Sequence, residues 1–216
     1  MSEPEPCCFD EWAASNARRA RRKEVVAPVS RAMVDALDQV GLSGLSVMDL
    51  GCGTGDVGLA TLSRGAATLT GVDLGPGAID RARSLASERG LQERSSFSVG
   101  DAATTPLQPH DVVVLNRVYC CYPDIDALLT NSLPAARRIY AFTSPRSQGL
   151  AGAIARVETR IANVWYRMRD RKFRGFRVWV HDVDAIDARV REAGFRPVLS
   201  GTRRFGWHLG VYERVA

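Results

Sequence analysis

Apolar residues fall along this chain in two alternating rhythms. Short apolar runs of strand length recur at Leu45–Leu50, Thr68–Leu74, Phe97–Val99, Asp111–Leu115 and Arg138–Phe142. Between them lie stretches with helical spacing. These are Asp56–Arg64, closed by Gly65; Pro76–Arg89, with proline near its start and Gly90 just past its end; and Asp124–Leu133. The middle of the Asp111–Leu115 run is wholly apolar rather than alternating, as in strands covered on both faces. Strands alternating with helices predict an α/β fold: a Rossmann-like, mostly parallel sheet with right-handed crossovers and helices on both faces.

The two ends read differently. Residues 11–40 look helical, with Asp10 as a cap and Val25, Val26, Val29, Met33, Val34 and Leu37 on one face. Pro28 interrupts that pattern and predicts two helices instead of one. Beyond Pro145, the residues Leu150, Ile154, Val157, Ile161, Val164, Trp165 and Met168 share one side of a long helix. A basic stretch, Arg167–Arg177, leads into strand-like Phe176–Val180, then a helix over Val183–Ala193 ended by Gly194. Strands near Pro197–Leu199 and Trp207–Tyr212 form a C-terminal antiparallel hairpin through Gly201–Gly206. The chain thus divides into an N-terminal helical cap (1–40), a binding core (41–146), a helical lid insertion (147–182) and a C-terminal helix and hairpin completing the core sheet (183–216). The apolar side of the lid helix suits either core packing or a substrate-facing surface.

Composition narrows this picture. The chain has 216 residues, 45% of them hydrophobic and 25% charged, the balance of an ordinary globular domain. No apolar run reaches the ~20 residues that span a bilayer. The acidic, proline-bearing start, Met1–Asp10, has no apolar signal core, so a cytoplasmic protein is expected. Four of the five cysteines form two adjacent pairs, Cys7-Cys8 and Cys120-Cys121, a poor disulfide framework without the C-x₂₋₄-C spacing of zinc sites. No metal is expected. The net charge is +5, and only Lys23 and Lys172 are lysines. A solvated basic surface explains this more simply than a polyanion partner.

The chemistry is concentrated after the first strand. Asp49-Leu50-Gly51-Cys52-Gly53-Thr54-Gly55 runs from a buried strand through glycines into a helix. Glycines allow a tight turn and let a ligand lie on the backbone at the carboxyl edge of such a sheet. Asp73 ends the second strand about 20 residues on, where a carboxylate can accept both ribose hydroxyls. Gly53, Gly55 and Gly58 also match the dinucleotide pattern G-x-G-x-x-G, but in that register the turn would start two residues late. Gly100-Asp101-Ala102 ends the third strand with a carboxylate suited to an adenine amino group. The short-chain dehydrogenase pair Tyr-x-x-x-Lys is missing. These points favour S-adenosylmethionine over a nicotinamide dinucleotide.

The DLGCGTG string at Asp49–Gly55, with Gly71-Val72-Asp73, resembles the first two motifs of class I S-adenosylmethionine-dependent methyltransferases. The likeness covers roughly residues 40–145. It implies that Gly51, Gly53 and Gly55 line the methionine portion of the cofactor and that Asp49 orders their loop. It further implies that Asp73, with Leu74 beside it, holds the ribose, that Asp101 and Ala102 flank the adenine, and that Asn116 faces the sulfonium. Three further strings, Arg18–Lys23, Asn116–Asp124 and Phe176–His181, are similar to a small bacterial group resembling magnesium-protoporphyrin O-methyltransferase.

The acceptor side should lie past the fourth strand. Arg117 can pair with a substrate carboxylate or make a surface salt bridge. Tyr119 and Tyr122 can wall the pocket or pack beneath the next helix, and His181 can serve as a base or be structural. Cys52, Cys120 and Cys121 read as small fillers. The expected activity is methyl transfer to a small-molecule carboxylate or hydroxyl. The rivals are an RNA-directed methyltransferase, disfavoured because no RNA-binding module is attached, and a non-catalytic cofactor-binding protein. The basic lid helix also admits weak contact with a membrane surface.

Overall fold

The computed structural model describes residues 27–168, 176–203 and 206–215. The expected helix ahead of Pro28 and most of the basic stretch Arg167–Arg177 lie outside these residues. The first described helix, α1 (Pro28–Val40), starts with proline in its first turn, where the missing N–H costs nothing. It buries Met33, Val34 and Leu37.

Strand β1 (Ser46–Leu50) leads to helix α2 (Asp56–Ser63), β2 (Thr68–Asp73), α3 (Pro76–Glu88), β3 (Ser95–Val99) and β4 (His110–Leu115). Then come α4 (Ile125–Ser132), β5 (Ala136–Pro145), the long α5 (Gly149–Met168), α6 (Val183–Glu192), β6 (Phe195–Arg203) and β7 (Trp207–Arg214). They form one seven-stranded sheet in the order β3-β2-β1-β4-β5-β7-β6. The first five strands are parallel, while β7 runs antiparallel to both β5 and β6. The C-terminal hairpin therefore inserts its second strand next to β5 and leaves its first at the edge. Both strands are longer than their apolar cores suggest, because ladder hydrogen bonds carry the pairing out to Arg203↔Trp207.

Side chains of β4 alternate between two cores. Val112 and Val114 join Met33, Leu59 and Ile79 on the face covered by α1, α2 and α3. Val113 and Leu115 join Leu128 and Ile186 on the face covered by α4 and α6. A sheet buried on both faces is what the apolar run in this strand requires.

In the C-terminal half one sequence expectation fails, and of the two alternatives for the lid helix, core packing is ruled out. Residues 176–180 form no strand. Their backbone is instead held by side chains and loops: Asn163 Nδ2 donates to the Val178 carbonyl at 2.9 Å, and the Val178 N–H donates to Asn163 Oδ1 at 2.8 Å. The apolar side of α5 is not core. Leu150 is 79% exposed, Ile161 65% and Met168 83%, while Gly152 is the helix's one buried residue. The contacts it makes run through other positions, Gly152 beside Ser147 and Asn163 on Val178, so its periodicity located the stripe but not the way it faces.

Candidate functional site

Beyond Leu50 the chain turns back in a loop with Gly51, Gly53 and Gly55 all in the left-handed region, φ 67°, 54° and 78°. Side chains would strain all three, and at Gly51 a Cβ would also come within 2.5 Å of Val118. A Cβ at Gly55 would meet Ala82 and Phe97 at 3.2 Å, so this glycine serves packing against α3 and β3 and does not line the cavity. Gly58, in the first turn of α2, sits where a Cβ would approach Leu69 within 2.6 Å. It is the close helix–strand contact that mimics the third dinucleotide glycine.

Asp49 is buried on β1, and its Oδ2 accepts the Gly58 N–H at 3.0 Å, one of the donors the start of α2 leaves unpaired. Burial, helped by the negative charges of Asp56 and Asp73, pushes its carboxyl up to about 8. At the end of β2, Asp73 bridges two loops: Oδ2 accepts the Gly53 N–H at 2.8 Å and Oδ1 the Gly75 N–H at 2.9 Å.

Crossovers leave β1 and β4 in opposite directions, and a crevice opens between the carboxyl ends of these adjacent strands. It holds a cavity of about 270 Å³. One end is lined by Asp49, Gly51, Gly53, Asp73, Leu74 and Ala102, the other by Asn116, Arg117, Cys120, Cys121 and Tyr122. Ala27 and Ser30 of the α1 segment border it, and Tyr166, Phe176 and Val178 roof it in part.

The β4 exit is tightly organised. Asn116 Nδ2 donates to Ser30 Oγ at 2.8 Å, and its Oδ1 accepts from Thr143 Oγ1 at 3.1 Å. The same Thr143 oxygen accepts the Arg117 N–H at 2.8 Å, pinning a non-glycine residue at φ 62°. Strain held at a cavity wall is a mark of a functional position. The Arg117 guanidinium lies 5.5 Å from the centre of the Trp207 ring.

Besides Gly55, three proposed site residues are placed elsewhere. Tyr119 is wholly buried; its hydroxyl meets that of Tyr140 at 2.9 Å and its ring packs on Phe142, so it belongs to the core. His181 uses Nε2 to donate to the Tyr122 carbonyl at 2.8 Å and does not line the cavity, so that nitrogen cannot act as a base there. Asp101 stands just behind the wall, where its carboxylate accepts the Tyr122 hydroxyl at 2.8 and 3.0 Å. Burial and that carboxylate push the Tyr122 phenol up to about 12, so Tyr122 is a neutral wall. Sequence reasoning missed Ser30, Thr143, Tyr166 and Phe176. Ser30, Thr143 and Tyr166 belong to no motif, and Phe176 stood only within the Phe176–His181 string; Ser30, Tyr166 and Phe176 reach the cavity through tertiary packing, and Thr143 acts through Asn116 and Arg117.

The residues present fit an adenosyl group. No atom lies within 4 Å of the position a Gly53 Cβ would take, so a ligand can lie on that backbone. The Asp73 carboxylate edges the same space between apolar Leu74 and Ala102, a setting for a hydroxylated sugar beside a flat base.

A parallel sheet with a glycine turn after its first strand, a carboxylate after its second and a crevice where strand order reverses defines a nucleoside-binding Rossmann-like protein. More narrowly, residues 42–183 match the model of a methyltransferase domain, and the chain belongs to that family, the S-adenosylmethionine-dependent methyltransferases. It is similar to ribosomal protein L11 methyltransferase of Histophilus somni, 35% identical over 89 residues, 41% of this chain and 30% of that one. The enzyme of the same name from Yersinia pseudotuberculosis is 30% identical over 138 residues, 64% of this chain and 44% of that one. The chain spans less than half the length of these curated relatives. Among solved structures, magnesium protoporphyrin IX methyltransferase from Synechocystis, with bound SAH, superposes with a TM-score of 0.68 at 21% identity, covering 96% of this chain and 98% of that one. An O-methyltransferase family 2 protein from Planctomyces limnophilus, in complex with apigenin, gives 0.71 at 16% identity, over 99% and 63%. These likenesses establish the fold.

Proposed function

We propose that this protein transfers a methyl group from S-adenosylmethionine to an oxygen of a small molecule, a carboxylate or hydroxyl. The observation that carries this reading is a continuous cavity, about 270 Å³, running from the glycine turn to Arg117. Its two ends differ in chemistry, a glycine turn and a carboxylate at one and a guanidinium suited to a carboxylate at the other, as a cofactor beside a small anionic acceptor would require.

In this reading Gly51 and Gly53 take the methionine portion, with Asp49 holding their loop to α2. Asp73 takes the ribose hydroxyls, and Leu74 and Ala102 the adenine faces. Asn116, fixed from both sides by Ser30 and Thr143, borders the methyl. The cofactor supplies a methyl already activated on a sulfonium. The protein's task is then to align an acceptor and exclude water, and holding reacting atoms ~3–3.5 Å apart supplies much of the rate. Arg117 orients an acceptor carboxylate, its backbone locked by Thr143. Tyr166 and Phe176 meet edge to face at 4.8 Å and give the roof aromatic surface, which favours a cation beneath it. A carboxylate acceptor arrives deprotonated and needs no base, consistent with the engagement of His181 and Tyr119 elsewhere.

The L11 relatives are named for a protein substrate, so the test must separate acceptor classes. Purified protein is incubated with methyl-labelled S-adenosylmethionine and host extract split into small-molecule, RNA and protein fractions. Label is expected in the small-molecule fraction, in a base-labile ester or an ether. Label confined to RNA or protein rejects the proposal.

A further inference from the structure

Cys120 and Cys121 follow each other in the short turn Tyr119–Cys121 and line the same cavity wall. Both are reduced, and their Sγ atoms lie 3.4 Å apart. Both sulfurs also reach the Arg117 carbonyl, at 3.3 and 3.9 Å. Methyl transfer as derived above uses neither thiol. Sulfurs so placed need to close by only about 1.4 Å to reach disulfide bonding distance. Neighbouring residues cannot move apart, since their Cα atoms are held about 3.8 Å from each other.

The backbone around this pair anchors the segment that roofs the cavity. The Trp179 N–H donates to the Cys120 carbonyl at 2.8 Å, and His181 Nε2 donates to the Tyr122 carbonyl at 2.8 Å. Residues 176–182 therefore rest on the peptide units that flank the two thiols.

We propose that Cys120 and Cys121 are an oxidative modification site, a vicinal dithiol that a peroxide converts to a disulfide, detaching residues 176–182 from the cavity wall. In the first step the Cys120 thiolate attacks a peroxide oxygen. An S–O bond forms, the O–O bond breaks and hydroxide leaves, taking up the thiol proton as water. In the second step the Cys121 sulfur attacks the resulting sulfenic acid. An S–S bond forms, the S–O bond breaks and a second water departs with the Cys121 proton. Two electrons pass from sulfur to oxygen, and one hydrogen peroxide becomes two waters. Cys120 is the attacking residue: the hydrogen bond from Cys121, and after it the Arg117 charge, lower its thiol from the usual range against the effect of burial. A bridge between neighbours has a shorter Cα separation than ordinary disulfides. It is strained and easily reduced, as reversible bridges are. Closing it turns the Cys120 carbonyl that Trp179 needs.

The test uses the full chain carrying Cys7→Ser and Cys8→Ser, so that the remaining thiols are Cys120, Cys121 and buried Cys52. After hydrogen peroxide treatment, the peptide containing Cys120 and Cys121 is expected to be about 2 Da lighter, with dithiothreitol restoring its mass. In the oxidised protein the Trp179 amide should exchange with solvent at least about tenfold faster. With Cys121→Ser added, oxidation should stop at a dimedone-trapped sulfenic acid on Cys120, leaving Trp179 exchange unchanged. A peptide that keeps its mass, or advances to sulfinic acid without bridging, overturns the site. A bridge that leaves Trp179 exchange unchanged overturns the coupling. Neither readout needs a methyl acceptor, so failure here is distinct from failure of the proposed activity.

Discussion

At the scale of single residues, two carboxylates carry the binding reading. Asp73 joins the glycine turn to the loop after β2 through two N–H groups, at 2.8 and 2.9 Å. Asp73→Ala is expected to weaken S-adenosylmethionine binding by about 1–3 kcal/mol, because hydroxyls of the bound ribose lose their partner. Unchanged affinity by calorimetry rejects the assignment. Asp49 makes a pH prediction. Its carboxyl is raised from 3.8 to about 8 by burial and by Asp56 and Asp73, so the folded chain holds a proton that the unfolded chain releases between those values. Its contribution to stability is therefore greatest at acid pH and declines as pH rises through that window. Asp49→Asn keeps an acceptor for Gly58 and should flatten this decline. Denaturant midpoints measured across the window check it, and a variant profile parallel to the parent's rejects the raised carboxyl. The glycines and both aspartates were legible in the sequence because backbone geometry and strand ends select them. Tyr119 and His181 were misjudged for the opposite reason: where a hydroxyl or imidazole points depends on neighbours such as Tyr140 and the Tyr122 carbonyl, which lie far away in the chain.

At the scale of elements, the parallel half of the sheet followed its sequence pattern closely, and α5 did not. Its apolar stripe spans Leu150 to Met168 at helical spacing, the usual signature of a buried face. Yet Val157 is 54% exposed and Trp165 45%. Small and polar positions make its contacts instead, with Gly152 against Ser147 just ahead of the helix and Asn163 on Val178 of the roof segment. The stability cost of mutation should follow this orientation. Ile161→Ser is expected to change unfolding free energy by no more than about 0.5 kcal/mol, as surface substitutions do. Leu128→Ala, at a fully buried position of α4, should cost about 2–5 kcal/mol. Equal costs in chemical denaturation would show that the stripe is packed after all. The segment 176–180 carries the same lesson. β-branched and aromatic residues made it strand-like, but its backbone pairs with the Asn163 side chain and the Cys120 carbonyl instead of with a strand.

At the scale of the whole molecule, the order of strands and helices along the chain determined an α/β architecture, and the glycine turn with Asp73 determined a nucleotide-type crevice. Both follow from local rules: periodicity, the left-handed conformations glycine tolerates, and the right-handed sense of parallel crossovers. Only the tertiary structure decided the rest. It placed β7 between β5 and β6, turned the stripe of α5 outward, assigned Tyr119 to the core, brought Ser30, Tyr166 and Phe176 to one cavity and set Thr143 behind its wall. These contacts join positions far apart in sequence, so their outcome rests on how pre-formed elements pack together. No local pattern encodes that packing, because the free energy that selects it exists only once the distant surfaces meet.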